Sequence, residues 1–480
     1  MNMKINMNIT TNRRHSKPQK PRLALLASLA ALLIAGCATS ASIDTASMPA
    51  TPTAFKETPA TGAAASMALP AQGRWWTVFA DPVLDQLVEQ ASRSNNNVQI
   101  AAARLAQARA IAGATDANRA VQLGLGAGAL RQKNIATGNA AQTVLSASGS
   151  LSYEVDLFGK LSGASNAAAL NAQAREALLR STQLLVQADV AQTYLNLRAI
   201  DSERALVEGT LQAYRNTLRL TEVRFKEGDV AELDVARVRT EVAATQSEAL
   251  ALALRRATLE HALAVLTGQI ASSFAVAPLE WVAALPAIPA GVPSTVLTRR
   301  PDVAAALSSM QSAQARVGVA RTAWFPDFSL TANGGYAAPE LKDLFKMSAR
   351  AWGVGALLSL PLLDGGRREA GVQNANAELD IALASYREQV LVAFRDVEDQ
   401  LAALRLLAEQ AEAQSRSVAS ASRATVLSDS RYRNGFVSQL ELLDAQRSEL
   451  RNRRQALQVK TSQYLATVGL IRALGGGWAI

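Results

Sequence analysis

The chain contains its own pattern twice. Arg224-Phe225-Lys226-Glu227-Gly228 returns as Arg431-Tyr432-Arg433-Asn434-Gly435 at an offset of 207 residues, and Leu233-Asp234 returns as Leu440-Glu441. Upstream, Asp156-Leu157-Phe158-Gly159-Lys160 lies opposite Leu362-Leu363-Asp364-Gly365-Gly366 at offset 206, and Val98 to Ala110 opposite Val303 to Ala315 at 205. So constant an offset is the mark of a duplicated unit. The halves meet in a linker holding Pro278, Pro286, Pro289, Pro293 and Pro301, where a helix cannot continue.

Each half reads as helix, strand pair, very long helix, Gly-containing break, helix. In the second half Leu379, Leu383, Tyr386, Val390, Phe394, Val397, Leu401 and Leu404 recur at steps of three and four, the seam of a coiled coil running from about Arg367 to Arg433. The first half supplies a counterpart from about Lys160 to Glu227, with Leu184, Ala188, Ala191 and Leu195 on one stripe. Some 65 residues at ~1.5 Å per residue make a rod of about 100 Å, so the protein is elongated.

The segments between the helices alternate. Phe328-Ser329-Leu330-Thr331-Ala332-Asn333 is strictly apolar/polar, as is Leu151-Ser152-Tyr153-Glu154-Val155-Asp156-Leu157; Val121–Ala129 and, more weakly, Ala351–Leu362 follow the same rule. A period of two with one apolar face describes a strand between two unlike environments. Four strands of about ten residues have the length of tilted membrane-spanning strands, and Phe158, Trp324, Phe325, Tyr336 and Trp352 flank them as interface aromatics would. On this reading Glu154, Asp156, Ser329, Thr331 and Asn333 face a lumen. Open sheet edges are intolerable in lipid, and about eight strands are needed to close a barrel. Several chains must therefore share one barrel.

The N-terminus decides the meaning of the charge. Lys plus Arg exceeds Asp plus Glu by 49 to 40, which suggests a nucleic-acid partner. Six of those cations (Lys4, Arg13, Arg14, Lys17, Lys20 and Arg22) precede an apolar run from Leu23 to Ile34 that ends in Ala35-Gly36. That is the order of a secretory signal, too short to span a bilayer. Its removal leaves 43 basic against 40 acidic residues, and the nucleic-acid reading loses its support. Cys37, the only cysteine, stands at the cleavage point after Leu33-Ile34-Ala35-Gly36 and resembles the lipid-accepting cysteine of a bacterial lipobox. Ala38 in place of an acid favours outer-membrane sorting by the same resemblance. The expected organisation is a signal peptide over residues 1–36, an Ala/Ser/Thr/Pro-rich flexible tether over 37–72, repeat 1 over 73–270, the linker over 271–298 and repeat 2 over 299–475.

Catalytic chemistry lacks its residues. Beyond His15 in the signal, His261 is the only histidine, and no nucleophile-base set or metal-ligand cluster can be assembled around it. Gly124, Gly126 and Gly128 are followed by Arg131 where a dinucleotide fingerprint needs glycine, and no βαβ unit surrounds them. No cofactor is expected, and no enzyme.

Lipobox, duplicated halves, four strands and long helices together resemble the outer-membrane factor family, the TolC-like exit ducts of tripartite efflux systems, in its OprM/NodT-type lipoprotein branch. The resemblance runs from about Trp75 to Leu474. It rests on Arg299-Arg300-Pro301-Asp302-Val303, on Ala323-Trp324-Phe325-Pro326, and on Arg431-Tyr432-Arg433-Asn434-Gly435 leading to Leu442-Leu443-Asp444-Ala445-Gln446-Arg447. It implies a mainly helical protein whose homotrimer shares a twelve-stranded outer-membrane barrel and an α-helical tunnel crossing the periplasm. It further implies a periplasmic adaptor and an inner-membrane pump of the RND type as partners, and passive export of drugs or other small toxic molecules. The tunnel's inner end is closed in resting family members, and by motif matching Leu440, Glu441, Asp444 and Arg447 fall at that aperture. Tyr432 takes the place of a constraining tyrosine, and Asp234 is the first-repeat counterpart of Glu441. Where the TolC branch carries a linking arginine after the glycine this chain has Val437, which leaves the set of closing contacts open. Glu441, Asp444 and Arg447 could alternatively form ordinary helix-surface pairs. A lipid-anchored periplasmic coiled-coil scaffold without a barrel is the alternative for the whole chain.

Overall fold

The computed structural model describes residues 50–57, 73–133, 141–279, 281, 285–288 and 293–476. The signal peptide, Cys37 and most of the expected tether lie outside the described residues.

The two halves fold into matching elements. The first contains α1 (Pro82–Ser94), α2 (Asn96–Ala117), β1 (Gln122–Lys133), β2 (Ala141–Val155), α3 (Lys160–Lys226) and α4 (Glu232–Leu266). The second contains α5 (Pro293–Arg299), α6 (Pro301–Thr322), β3 (Asp327–Ala338), β4 (Arg350–Ser359), α7 (Arg367–Arg433) and α8 (Gln439–Ala473). Helices α3 and α7 are each 67 residues long, and α4 and α8 are each 35. At ~1.5 Å per residue the long pair are rods of about 100 Å.

Both long helices start and stop by the same local devices. Asp156 and Asp364, just upstream, accept backbone N–H bonds from the first turn: Leu161 and Ser162 at 3.0 and 2.7 Å, and Gly366 and Arg368 at 3.1 Å each. At the far end the chain reverses through Gly228 (φ +83°) and Gly435 (φ +78°), a left-handed backbone that a Cβ would strain. Asp156 is thus a helix cap beyond the end of β2 and not a strand residue, which corrects its placement on a lumen-facing strand.

The helices form one curved layer. α3 packs along α2 and then α4 on one flank, and along α6 and then α8 on the other; α7 closes the far side by packing on α6 and α8. Gly469 of α8 lies against the Gln400 side chain of α7, which would have to shift to admit a Cβ there. The sheet continues the same order: β1, β2, β3 and β4 are neighbours, antiparallel throughout. The strands run beyond the alternation seen in the sequence. β2 begins at Ala141, ten residues ahead of the legible pattern, because the ladder to β1 (Lys133↔Ala141 to Gln122↔Ser152) orders small and polar residues that carry no periodic signal.

The core lies near the middle of the rods, where the short helices wrap them. Trp75, Phe79, Leu84, Leu197 and Tyr464 are almost fully buried there together with the Leu184, Ala188, Ala191 and Leu195 stripe. A second cluster holds Val390, Val397 and Leu401 of the α7 seam, with Tyr386, Phe394 and Leu404 packed against it. Phe55, from the expected flexible tether, is buried in that cluster. The backbone N–H groups of Lys56 and Glu57 donate to Glu398 at 2.8 and 3.1 Å, and Glu57 pairs with Arg405 at 2.8 Å. The tether is therefore clipped to α7 over 55–57 and not free along its length.

A charged network ties the linker to this core. Asp201 (9% exposed) accepts from Arg198 at 3.2 Å and from Arg256 at 2.7 Å. Arg198 also donates to the Ala277 carbonyl at 2.7 Å, and Arg256 donates to the carbonyl of Val276 and pairs with Glu260 at 3.2 Å. Removing one partner leaves a buried charge uncompensated. Arg256→Met is accordingly expected to destabilise the fold by roughly 3–5 kcal/mol, read as a lowered thermal midpoint of the helical circular-dichroism signal, while Arg255→Met on the exposed face of the same turn leaves the midpoint within error.

Candidate channel aperture

The end of the rods remote from the sheet consists of the α3–α4 and α7–α8 turns. Leu442 and Leu443 of α8 are buried at 1% exposure, with Leu443 packed on Tyr214 of α3 and Val238 of α4. Leu440, Glu441 and Asp444 consequently face outward, Leu440 at 42% exposure. Tyr432 is buried beneath the Arg224 guanidinium, whose carbon stands 5.0 Å from the ring centroid, and its hydroxyl has no hydrogen-bond partner among the described residues.

The six residues named from the sequence do not form one cluster. Asp444 pairs with Arg447 at 3.2 Å, and among the described residues Glu441 reaches only Arg431, at 3.8 Å across its own hairpin, and Asp234 only Arg237 of its own helix, at 3.7 Å. What joins the hairpins is a residue the sequence reading missed. Arg447 reaches across α3 to Glu241 of α4, and seven residues along, Arg454 pairs with Glu248 of α4 and with Glu203 of α3 at 2.7 Å. Glu241 and Glu248 are two helical turns apart on α4, as Arg447 and Arg454 are on α8, so two parallel rungs connect the helices. They span a groove of about 800 Å³ that Tyr214, Arg451 and Gln455 also line. Glu241 aligns with Ser448 at the repeat offset of 207, so the internal comparison gave no cue to it. The Glu241 carboxylate, against desolvation, holds the Arg447 guanidinium well above its ordinary pKa.

The proposed lumen residues sort by sheet face. Glu154↔Ser329, Ser152↔Thr331 and Ser150↔Asn333 are register partners and share a face, whereas Tyr153↔Leu330, Leu151↔Ala332 and Val155↔Phe328 share the other. The polar face is continued by Gly124 opposite Ser150 on β1 and by Gly353 and Gly355 opposite Asn333 and Thr331 on β4. A Cβ on Gly353 would stand 2.9 Å from Asn333 Oδ1, so these glycines make room for the polar side chains of the central strands. Leu130, Val144 and Leu357 interrupt that face, while the opposite one presents Leu123, Leu125, Trp352, Val354 and Leu358, each more than 60% exposed. Aromatics collect at both ends: Phe158 stacks on Phe325 at 4.7 Å and Arg368 covers Trp324 at the helix end, and Tyr336 meets Phe345 at the other. His261 is exposed on α4, and the described residues contain no group of three or more His, Cys, Asp or Glu that could hold a metal.

The family model "Outer membrane efflux protein" matches residues 87–269 and 292–476, one match in each half. The chain belongs to that family. The TolC-like resemblance of the OprM/NodT type is thereby shown, and with it a transport protein, the outer-membrane channel component of an efflux pump, and no enzyme. Among relatives, the chain is 35% identical over 431 residues to the pyoverdine export outer membrane protein OpmQ of Pseudomonas putida, covering 87% of this chain and 90% of OpmQ. It is 30% identical over 413 residues to the cation efflux system protein CusC of Escherichia coli, covering 84% and 88%. The solved structure of the outer-membrane channel OprN superposes with a TM-score of 0.82 at 30% identity, over 90% of this chain and 98% of that one.

One buried group at this end of the channel protein has a spectroscopic signature. Burial pushes the Tyr214 phenol up to about 12, with the Glu241 charge adding to the shift and Arg447 opposing it. In a near-ultraviolet pH titration the difference between the wild-type protein and Tyr214→Phe is expected to show one phenol ionising about two pH units above an ordinary tyrosine's ~10. Because the neutral form is favoured in the folded state, this residue contributes no loss of stability below pH ~10 and a progressive loss above it.

Proposed function

We propose that three copies of the chain close into a passive duct through the outer membrane and periplasm, anchored by lipid on Cys37. The observation that carries this reading is the matched pair of free edges. Among the described residues, β1 and β4 have no outer neighbour in the sheet, and α2 with α4 on one side and α7 on the other have none in the helical layer. β4 of one copy and β1 of the next run antiparallel, so head-to-tail closure satisfies both edges at once. Two copies would reach the minimum of about eight strands; three give the twelve-stranded barrel that the family resemblance implies. The Leu123, Leu125, Trp352 and Leu358 face then meets lipid, and Glu154, Ser329, Thr331 and Asn333 line the lumen.

The names of the relatives, which include pyoverdine export, solvent efflux, toluene efflux, antibiotic efflux and cation efflux proteins, span chemically unlike cargo. A wide water-filled duct is compatible with all of them, and selection falls to the other components. We assign the partners accordingly: a periplasmic adaptor and an inner-membrane pump of the RND type supply recognition and energy, and small toxic molecules are the cargo.

The resting duct is closed at the α3–α4 and α7–α8 turns. Arg447–Glu241 and Arg454–Glu248 tether the second hairpin to the first, Leu440 and Asp444 narrow the opening, and Glu441 and Asp234 ring it with negative charge that favours cations. Partly exposed ion pairs contribute on the order of 1 kcal/mol each. Six such rungs in a trimer hold the ring shut by several kcal/mol, a load that docking of a partner can overcome.

Single-channel recording in a planar bilayer tests the gate. Arg447→Ala with Arg454→Ala is expected to raise conductance severalfold and to make cells leaky to large antibiotics, and Leu440→Ala with Asp444→Ala to act in the same direction. The swap Arg447→Glu with Glu241→Arg is expected to return conductance toward wild type. Conductance unchanged in all of these would remove the gate assignment. A Cys37→Ala form that is monomeric and soluble without detergent would favour the scaffold reading over the duct.

A further inference from the structure

The lipid-facing side of the sheet does not end alike at its two margins. Alternation places Leu123, Leu125, Ala127 and Ala129 of β1 on that side, followed by Arg131 and Lys133. On β4, Leu358, Ala356, Val354 and Trp352 are followed by Arg350. Arg131 and Arg350 each stand eight residues from the first apolar residue of their strand, ~26 Å along it and comparable to the ~25 Å apolar band of a barrel before tilt. All three cations are exposed, and none has an acid partner among the described residues. Residues 134–140, between β1 and β2 in the sequence, include no acid.

The contrast with neighbouring cations is sharp. Lys342 and Lys346, in the β3–β4 loop at the same margin, are taken by Glu340 at 2.6 Å and Asp343 at 2.5 Å. At the helix-side margin Lys160 is shared by Glu154 and Asp327 at 3.0 Å each, on the polar face, and Arg368 is held by Asp364 at 2.7 Å. On the apolar face, the outer margin carries three exposed cations with no acid partner among the described residues. Tyr336 is the register partner of Arg350 and Trp352 lies two residues further into the apolar face, aromatics at this margin as at a membrane interface.

We propose that Arg131, Lys133 and Arg350 form a recognition site for phosphate groups on lipids of the outer leaflet. The inference rests on the closed barrel described above, which brings the start of β4 in one copy beside the end of β1 in the next. Each of the three seams then carries Arg350 from one side and Arg131 with Lys133 from the other. Two guanidinium forks and an ammonium, at the level where acyl chains give way to head groups, match a phosphorylated glycolipid: phosphate oxygens accept the N–H groups, and acyl chains cover the Leu and Trp stripe below. A free phosphate ion would meet the same cations without using that stripe, and the apolar continuity favours the lipid as the source.

The test uses the full-length lipidated protein in detergent, with native mass spectrometry counting chains and retained lipid. The probes are an acylated diglucosamine carrying two phosphates, the same lipid after phosphatase treatment, and inorganic phosphate as competitor. The wild-type trimer is expected to retain the phosphorylated lipid and to hold the dephosphorylated one at least tenfold less well. Arg131→Gln with Lys133→Gln and Arg350→Gln is expected to lose retention by a similar factor while remaining a trimer of unchanged conductance, and Lys342→Gln with Lys346→Gln to retain it. Equal retention by the triple variant, or no preference for the phosphorylated lipid, overturns the proposal. Displacement by millimolar inorganic phosphate overturns the lipid as the source. A wild-type protein that is not a trimer overturns the shared barrel, which is a separate failure seen before any lipid is added.

Discussion

Everything in this molecule answers to a hydrogen-bonding requirement that one chain cannot meet. A four-stranded antiparallel sheet leaves a row of N–H and C=O groups on each outer strand, and hydrocarbon offers them nothing. In water such edges are tolerable; in lipid each unpaired group costs several kcal/mol, which no local rearrangement of β1 or β4 can recover. The demand propagates down the rods. Because α3 and α7 follow directly from β2 and β4, whatever neighbour completes the sheet also stands beside α2, α4 and α7. The exposed Leu250 and Leu254 of α4 and Ile381 and Leu406 of α7 lie on helices with no outer neighbour in a single chain.

Stability is distributed unevenly along the 100 Å of helix, and the distribution suits a duct that must open at one end. The middle is held by Trp75, Phe79, Tyr194, Trp281 and Tyr464, by the Asp201 network and by the Phe55 clip, all of which cost several kcal/mol to disturb. Toward the remote end the two hairpins are joined by a smaller apolar cluster around Tyr214, Val238 and Leu443 and by the ion pairs of Arg447 and Arg454. That cluster is smaller than those of the middle, and the rungs add to it. Local opening is drawn from the weakly packed part of a structure, and here that part is the tip.

Much of this was legible in the sequence because duplication and periodicity are global signals. The limits of α7 at Arg367 and Arg433 follow from Gly366 and the Asn434-Gly435 break, and the Leu184 to Leu195 stripe is buried as its spacing requires. What escaped was specified by partners and not by pattern. The first ten residues of β2 are mostly Ala, Ser, Thr, Gln and Gly without a regular alternation, and the ladder to β1 makes them a strand. Phe55 sits in a stretch whose composition reads as linker, yet one aromatic and two backbone N–H groups suffice to fasten it to Glu398. Asp156 continues the alternation of β2 by one residue and nevertheless turns to cap α3, because a carboxylate beside free helix N–H groups has a better use there. Glu241 could not be found by repeat matching, since its function depends on where the repeats differ.

That difference is the last step. Two identical hairpins would offer the same side chains to each other. Divergence placed the acids on α4 and the cations on α8, so Glu241 and Glu248 meet Arg447 and Arg454 within one chain and not across a seam between copies. A bond inside the chain is made when the chain folds and needs no neighbour to form. In the proposed ring the ionic junctions lie within each copy, and the exposed apolar residues of α4 and α7 are left to meet a neighbouring copy. The duplication supplies a nearly even wall of helices; the loss of its symmetry at the tip places the ionic joints there.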